Sequence, residues 1–553
     1  MNHTTVTRCR NNFWLIVFTL FIFWYALLYV YDWSGRGDES SKSVDHSISF
    51  DASNPDQIQT SNGHAETGSE NVSNGMTVEK SEIDSYDENW FEDAEKVKIL
   101  EKDLEPLMME AEANKHELLC SGRYIYVHDL PSRFNIDYIK QCNKHSNPDD
   151  TCHQLANMGL GSELGNPQRV FMPTGWYATN QFSLDYIFHN RMRQYDCLTN
   201  DSSKAAAVFV PFYAGLDIAR YLGDYHNISE RDADSLAVAD WLRNQPEWEE
   251  MDGRDHFLVA GRTTWDFRRK GNKDWDMGNK LMLLPEFQNT TVLTIESSPW
   301  NKNDFAIPYP TIFHPSTEDE VNTWQNRMRR LRRRYLFSFA GSPKPQRKDS
   351  IRGEIINQCT SSKRCRFLDC GNKDEKCEKP LNVMKTFQSS LFCLQPPGDS
   401  FTRRSIFDSI LAGCIPVFFT PGSAYVQYLW HLPPDFAKYS VLISGFDVKI
   451  KKVNIEGVLK RIPRQKVSEM REEVIRLIPK VSYADPRSVL TGIEDAFDGT
   501  LKGVLDRVET LRQEIREGKN SSLEFNEENS WKYYMFGTEK RHRWDHFFRT
   551  NQD

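Results

Sequence analysis

The stretch that most constrains the fold is Ser390 to Phe419, SLFCLQPPGDSFTRRSIFDSILAGCIPVFF, which reads as strand, glycine-bearing loop, helix and strand in immediate succession. Leu391 to Leu394 is a short apolar run closed by Pro396-Pro397-Gly398, and Cys414 to Phe419 is a second run rich in β-formers. Between them Phe407, Ile410, Leu411 and Cys414 fall at i, i+3, i+4 and i+7, one face of a helix. Arg404 and Asp408 stand four apart and share a different face. A unit of this kind belongs to an α/β fold with a parallel sheet.

The chemistry such a unit offers follows from its charges. A loop Gly398-Asp399-Ser400 that feeds a helix presents backbone N–H groups and a positive dipole end to an anion. Arg403 and Arg404 add charge there, and an arginine fork matches phosphate oxygens. Asp408, one turn on, can accept hydrogen bonds from ribose hydroxyls. Together these form a diphosphate–ribose pattern. The alternative is an ordinary crossover in which Arg404 and Asp408 form a surface ion pair, and the pattern alone leaves both open.

A chain of 553 residues is too long for one core, so two domains with appendages are expected. The net charge of -9 leaves no footprint for a polyanion, which argues against nucleic acid as a partner. Phe13 to Tyr31 is a 19-residue apolar run without a charge, long enough to cross a bilayer. It is bulky and aromatic to its end, which favours an uncleaved anchor over a cleaved signal peptide. Arg8 and Arg10 precede it, so the positive-inside rule puts the amino terminus in the cytosol and the remainder in the lumen. From Ser34 to about Lys115 the composition is that of a disordered stem, with an amphipathic helix expected at Trp90 to Met109.

Setting aside Cys9 leaves ten cysteines on the lumenal side, an even number that predicts two or more disulfides. Cys359, Cys365, Cys370 and Cys377 are crowded but lack a CxxC pair or histidines at ligand spacing, so disulfides are favoured over zinc. Lumenal glycosylation sequons stand at Asn71, Asn200, Asn227, Asn289 and Asn520, whereas Asn2 is expected to be cytosolic and unmodified.

Upstream, Cys120 to about Pro315 alternates apolar runs with helical stretches in an α/β pattern. Thr317 to Arg334 predicts a helix that opens on Glu318-Asp319-Glu320 and closes on five arginines in six residues, a polarity the helix dipole favours; those arginines read as a solvated face. A second domain begins at Tyr335, with strand Leu336 to Phe339 running into Gly341-Ser342. Helices are predicted over Val467 to Ile478 and along Leu501, Val504, Leu505, Val508, Leu511 and Ile515.

The run GDSFTRRSIFDSILAGCIPVFF with PGSAYVQYLWHLP closely resembles the signature of exostosin-type glycosyltransferases, in particular the plant branch that includes the xyloglucan galactosyltransferases. YIYVHDLPSRFN (Tyr124 to Asn135), TGWYATNQFSLDYIFHNRM (Thr174 to Met192), VFVPFYAGLD (Val208 to Asp217), IESSPWNKNDF (Ile295 to Phe305), YLFSFAGSPKP (Tyr335 to Pro345) and YADPR (Tyr483 to Arg487) agree with that branch. The resemblance implies a GT-B fold, in which two Rossmann-like domains face a cleft, and inverting transfer of a sugar from a nucleotide sugar in the Golgi. It divides the chain into a cytosolic tail (1–12), a transmembrane signal anchor (13–31), a lumenal stem (32–117), an acceptor-side domain with hinge helix (118–334), a nucleotide-sugar domain (335–500) and C-terminal helices crossing back (501–553).

What the resemblance implies at the site is that Arg403 or Arg404 contacts phosphate and Asp408 contacts ribose, although many family members carry Glu at the latter position and the arginine offset differs. Gly341, Ser342 and Arg352 are further donor-binding candidates. The general base is sought in the first domain, with Asp217 first, then Asp129 and His128, then Asp266 and Glu296. Aromatic residues of TGWYATNQF and VFVPFY can stack on sugar or fill the core. Asp274-Trp275-Asp276 fits the letters of a metal-binding DxD motif but is read as surface loop, since no cofactor or metal is expected. The implied partners are UDP-galactose, a xyloglucan acceptor, the Golgi membrane through the amino-terminal helix, and other copies or other Golgi transferases. Another UDP sugar (galacturonic acid or arabinose), or a non-catalytic partner role, are the alternatives.

Overall fold

A computed structural model of the protein describes residues 120–518, apart from 145–147, 167, 223–225, 349 and 372–376, together with 532 and 544–548. The expected anchor Phe13 to Tyr31, the stem, the helix at Trp90 to Met109, and Asn71 and Asn520 lie outside the described residues. Among the described residues no helix is long and apolar enough to cross a membrane.

Six strands make the first sheet: β1 (Tyr124–Val127), β2 (Leu198–Thr199), β3 (Ala205–Phe209), β4 (His256–Thr263), β5 (Thr291–Glu296) and β6 (Asp304–Ala306). Their order is β2-β1-β3-β4-β5-β6 with every pairing parallel. Five more strands follow: β7 (Tyr335–Gly341), β8 (Cys365–Asp369), β9 (Ser390–Gln395), β10 (Ile415–Phe418) and β11 (Val441–Leu442). These pair in parallel in the order β11-β10-β9-β7-β8. Each sheet thus starts in its interior, steps outward once, then crosses to the other side. That reversal opens a crevice at the carboxyl ends of β1 and β3 in one sheet and of β7 and β9 in the other, the places where doubly wound folds take ligands.

The two sheets are not cut to the same edge. Phe257 of β4 pairs with Phe209, the last residue of β3, and β4 then continues to Thr263 beside Glu296 of β5. At about 3.3 Å per residue over Thr291 to Glu296, this carries the ends of β4 and β5 roughly 16 Å beyond the end of β3.

The helices that position the site are α1 (Leu184–Met192), α2 (Ala214–Ala219), α3 (Ile228–Arg243), α4 (Glu318–Arg330), α5 (Arg352–Thr360), α6 (Arg404–Leu411), α7 (Gly445–Lys449), α8 (Arg464–Arg476) and α9 (Ala496–Arg516). Helix α4 ends at Arg330, short of the expected Arg334; Arg329, Arg330, Arg332 and Arg334 are exposed, in keeping with a solvated face, and Arg333 alone of the five turns inward. Arg333 is half-buried and donates to the backbone carbonyls of Phe387, Gln388, Ala412 and Gly413, stapling the end of α6. Gly413, at φ +60°, makes the left-handed turn that ends that helix, where a side chain would be strained.

Helix α9 opens with a capping box, Asp495 accepting from the backbone N–H of Phe497 and Asp498 while Asp498 accepts from that of Asp495. Its apolar stripe from Leu501 to Leu511 is buried, and Ile515 is left exposed. It lies on the first sheet, where Arg512 donates to the Ala205 carbonyl and Arg507 to the Thr291 hydroxyl. The ten cysteines from Cys120 on form five disulfides, 120–197, 142–152, 359–365, 370–377 and 393–414. The crowded four that had invited a zinc reading are therefore two of these bridges.

A candidate donor site between the two sheets

The crevice between β7 and β9 gathers most of the second-domain residues that the sequence singled out. Arg352, at the start of α5, donates from Nε to the Pro397 carbonyl at 3.1 Å and from Nη1 to the Ser342 carbonyl at 3.3 Å, joining the two strand ends. Arg347 donates to the carbonyls of Gly398 at 2.8 Å and Asp399 at 2.6 Å. Lys344 pairs with the Asp399 carboxylate at 3.0 Å. Arg403 is the residue just before α6; a β-carbon built on Gly398 would stand 3.4 Å from Arg352 Nη2 and 3.6 Å from Arg403 Cγ. Burial, reinforced by the neighbouring Arg352 charge, lowers the Arg403 guanidinium to about 10. A cluster of cations held this close, with Asp399 as its acidic neighbour, is stabilised by a polyvalent anion.

The loop differs from expectation in how its N–H groups are used. The helix begins at Arg404, and the Phe401 and Thr402 N–H groups donate to Glu296 at the end of β5, as do the hydroxyls of Ser400 at 2.7 Å and Thr402 at 2.5 Å. The Trp265 indole N–H donates to the same carboxylate at 3.0 Å. Glu296 is wholly buried and so acts as a clasp between the first sheet and the phosphate-side loop. The Phe401 and Thr402 amides are therefore already occupied, and the cations beside the loop are the guanidinium groups.

Arg404 and Asp408 turn away from the arginine cluster. They pair at 3.8 Å, and Arg404 Nη1 donates to the Thr179 carbonyl of the first domain. Arg404 Nε, Asp408 Oδ1 and Gln395 Nε2 are buried without a hydrogen-bond partner, and burial raises the Asp408 carboxyl above its usual range. Orphaned buried polar atoms of this kind are rare and costly, and are accounted for where a ligand supplies the missing partners.

A cleft of about 740 Å³ beside this loop is lined by Arg347, Gly398 to Phe401, Phe446 and Lys449 of the second domain and by Trp265 and Trp300 of the first. Its size suits a nucleotide-sized ligand. Residues 119–458 match the family model described as the Exostosin GT47 domain. The chain belongs to the exostosin GT47 family.

It is 57% identical over 433 residues to the xyloglucan galactosyltransferase MUR3 of Arabidopsis thaliana, covering 78% of this chain and 70% of that protein. It is 52% identical over 393 residues to the probable xyloglucan galactosyltransferase GT14 of the same plant, covering 70% and 75%. The xyloglucan-specific galacturonosyltransferase 1 of Arabidopsis thaliana is 41% identical over 394 residues, covering 70% of this chain and 58% of that one. Among solved structures, WaaG, a glycosyltransferase of lipopolysaccharide biosynthesis, aligns with 60% of this chain and 96% of its own at a TM-score of 0.26 and 12% identity, too slight a likeness to build on.

In this exostosin domain the first-domain candidates scatter. Asp217 is fully buried in α2, bonded to Arg220, which also binds Asp234 at 2.7 Å; its Oδ2 has no hydrogen-bond partner, and it does not line the cleft. His128 and Asp129 lie just after β1, on the low side of this step, not beside Glu296. His128 is buried, 3.1 Å from His256, and burial lowers its imidazole to about 3. Asp129 is exposed.

Asp266 is better placed. It is half-buried and adjacent in sequence to the cleft-lining Trp265, without lining the cleft itself, with Arg262 at 3.8 Å, and its carboxyl is raised chiefly by burial. Trp176, Tyr177, Phe209, Phe212 and Tyr213 take the second of the two roles the sequence left them and fill the core, while Phe182 is half-buried beneath Arg262. Asp274 and Asp276 are bound into a loop, accepting from the N–H groups of Ile228 and Lys273. Asn200 and Asn227 are exposed, and Asn227 caps α3; Asn289 is half-buried and donates to Asp252.

Sequence reasoning missed Arg347, Lys449 and the clasp. Arg347 and Lys449 were legible only as charge, since what makes them cleft residues is the return of distant loops to β9.

Proposed function

We propose that the protein is an inverting glycosyltransferase of GT-B type that moves galactose from UDP-galactose to xylosyl side chains of xyloglucan. It works in the Golgi lumen as a single-pass type II membrane protein, anchored through Phe13 to Tyr31. The observation that carries the reading is the guanidinium cluster of Arg347, Arg352 and Arg403 around Gly398, at the reversal point of the second sheet, in a chain 57% identical to a xyloglucan galactosyltransferase.

In this reading the cluster binds and neutralises the departing diphosphate, so no metal is required. Asp408 and Arg404 meet the ribose from the buried side, which would satisfy their orphaned atoms. Asp266, next in sequence to the cleft-lining Trp265 and raised by burial, takes the acceptor hydroxyl proton in place of the sequence's first choice, Asp217. The 41% identity to a galacturonosyltransferase supports a second reading, the same scaffold using UDP-galacturonic acid.

Competition decides between them. The protein is given one xylosylated oligosaccharide with equimolar UDP-galactose, UDP-galacturonic acid and UDP-arabinose. Galactosyl product in large excess supports the proposal, galacturonosyl product selects the second reading, and UDP binding without any product indicates a non-catalytic partner.

A further inference from the structure

Two tryptophans at the cleft are exposed where large aromatics are ordinarily covered. Trp265 is 43% exposed and Trp300 is 37% exposed, their rings stand 6.2 Å apart, and both line the cleft that holds the Gly398 loop. Trp265 is not a loose surface side chain. It sits in a short turn after β4 between the fully buried Thr264 and Phe267, and its indole N–H is fixed to the wholly buried Glu296.

Fixing the N–H sets the ring plane and leaves the π face as the part that can meet a ligand. A π face without a free donor suits the C–H face of a pyranose ring, which is neutral and weakly polarised, more than it suits an anion. The cations Arg347 and Lys449, which suit an anion better, line the same cleft.

We propose that Trp265, with Trp300 beside it, is the platform on which a sugar ring of the acceptor glycan stacks; this rests on reading the cleft as a glycosyl-transfer site. Glu296 then joins the two halves of the reaction. One carboxylate fixes the acceptor platform through Trp265 and the phosphate-side loop through Ser400 and Thr402, so the acceptor ring and donor diphosphate are held in a set relation.

The test uses the full chain in detergent and the variants Trp265→Ala, Trp265→Phe and, as an off-cleft control, Trp275→Ala at a 71% exposed tryptophan. Trp265→Ala is expected to raise acceptor KM roughly ten-fold or more while UDP affinity by calorimetry stays within about two-fold. Trp265→Phe should recover most of the loss, and Trp275→Ala should change neither. An unchanged acceptor KM in Trp265→Ala overturns the proposal, as does a matching fall in UDP affinity, which would make the ring a nucleobase platform.

Absence of transfer by the wild type overturns the functional reading alone. Stacking is then judged by saturation-transfer NMR with neutral glucan oligosaccharides: binding by wild type and Trp265→Phe but not Trp265→Ala upholds it. Equal binding by all three, or by none, overturns it.

Discussion

Arg403 and Arg404 are adjacent in sequence and face different parts of the molecule, one beside Gly398 and the other against the Thr179 carbonyl. Arg403→Ala is expected to remove a charge-assisted phosphate contact and lower turnover about 30- to 1000-fold, with UDP affinity falling alongside; Arg404→Ala and Asp408→Ala should act mainly on nucleotide affinity. Calorimetry with UDP and steady-state rates separate these effects, and equal losses of turnover in all three variants would merge the two arginines into one role. At Glu296, the Gln variant keeps the shape but trades an acceptor oxygen for an N–H facing donors. Both donor and acceptor KM should rise several-fold in Glu296→Gln, and a normal KM for either would show that the clasp does not serve both sides.

Asp185 gives a pH signature. Burial raises its carboxyl from 3.8 to about 7, although Oδ1 accepts the Gly261 N–H at 2.8 Å. Between those values the unfolded chain has released a proton that the folded chain keeps, so its contribution is fully present below about pH 4 and is lost as pH rises to about 7. The wild-type melting temperature should therefore fall more steeply over that window than that of Asp185→Asn; parallel profiles would assign the titration to other groups.

At the scale of the element, the strand–loop–helix–strand unit was legible because its determinants are local. The apolar spacing of Phe407, Ile410 and Leu411, the Pro396-Pro397-Gly398 stop and Gly413 each act within a few residues, and the structure places β9, α6 and β10 where they indicate. The sequence does not single out one candidate base, since Asp217, Asp129, Asp266 and Glu296 all follow apolar runs, and how far each strand extends sets where the residue after it comes to lie. That extension is set by pairing register between β3, β4 and β5, which single-strand patterns do not encode. The pairing of Cys393 with Cys414 was also out of reach of the sequence, as it needs the two strands side by side. It closes the unit over 21 residues, and its removal by Cys393→Ser with Cys414→Ser should lower stability by about 3 kcal/mol in the chain-entropy view, read as a lower denaturation midpoint. An unchanged midpoint would mean that packing of the buried α6 face holds the unit alone.

Across the whole molecule, the two sheets meet through polar contacts that converge on the loop before α6. Glu296 holds Ser400 and Thr402, Gln427 bonds Ser297, Tyr309 bonds Thr402 at 2.9 Å, and α9 returns to β3 from the far end of the chain. In the proposed reading, the cations around Gly398 hold the donor's leaving group and the cleft tryptophans bring the acceptor ring to the anomeric carbon, as single-displacement transfer needs. The direct measurement is NMR of the product formed by the full chain from UDP-galactose and a xylosylated glucan oligosaccharide, with and without a chelator. The account predicts a new β-galactosyl anomeric signal on xylose with equimolar UDP, unchanged by the chelator; an α-linked product, or no transfer without added metal, would contradict it.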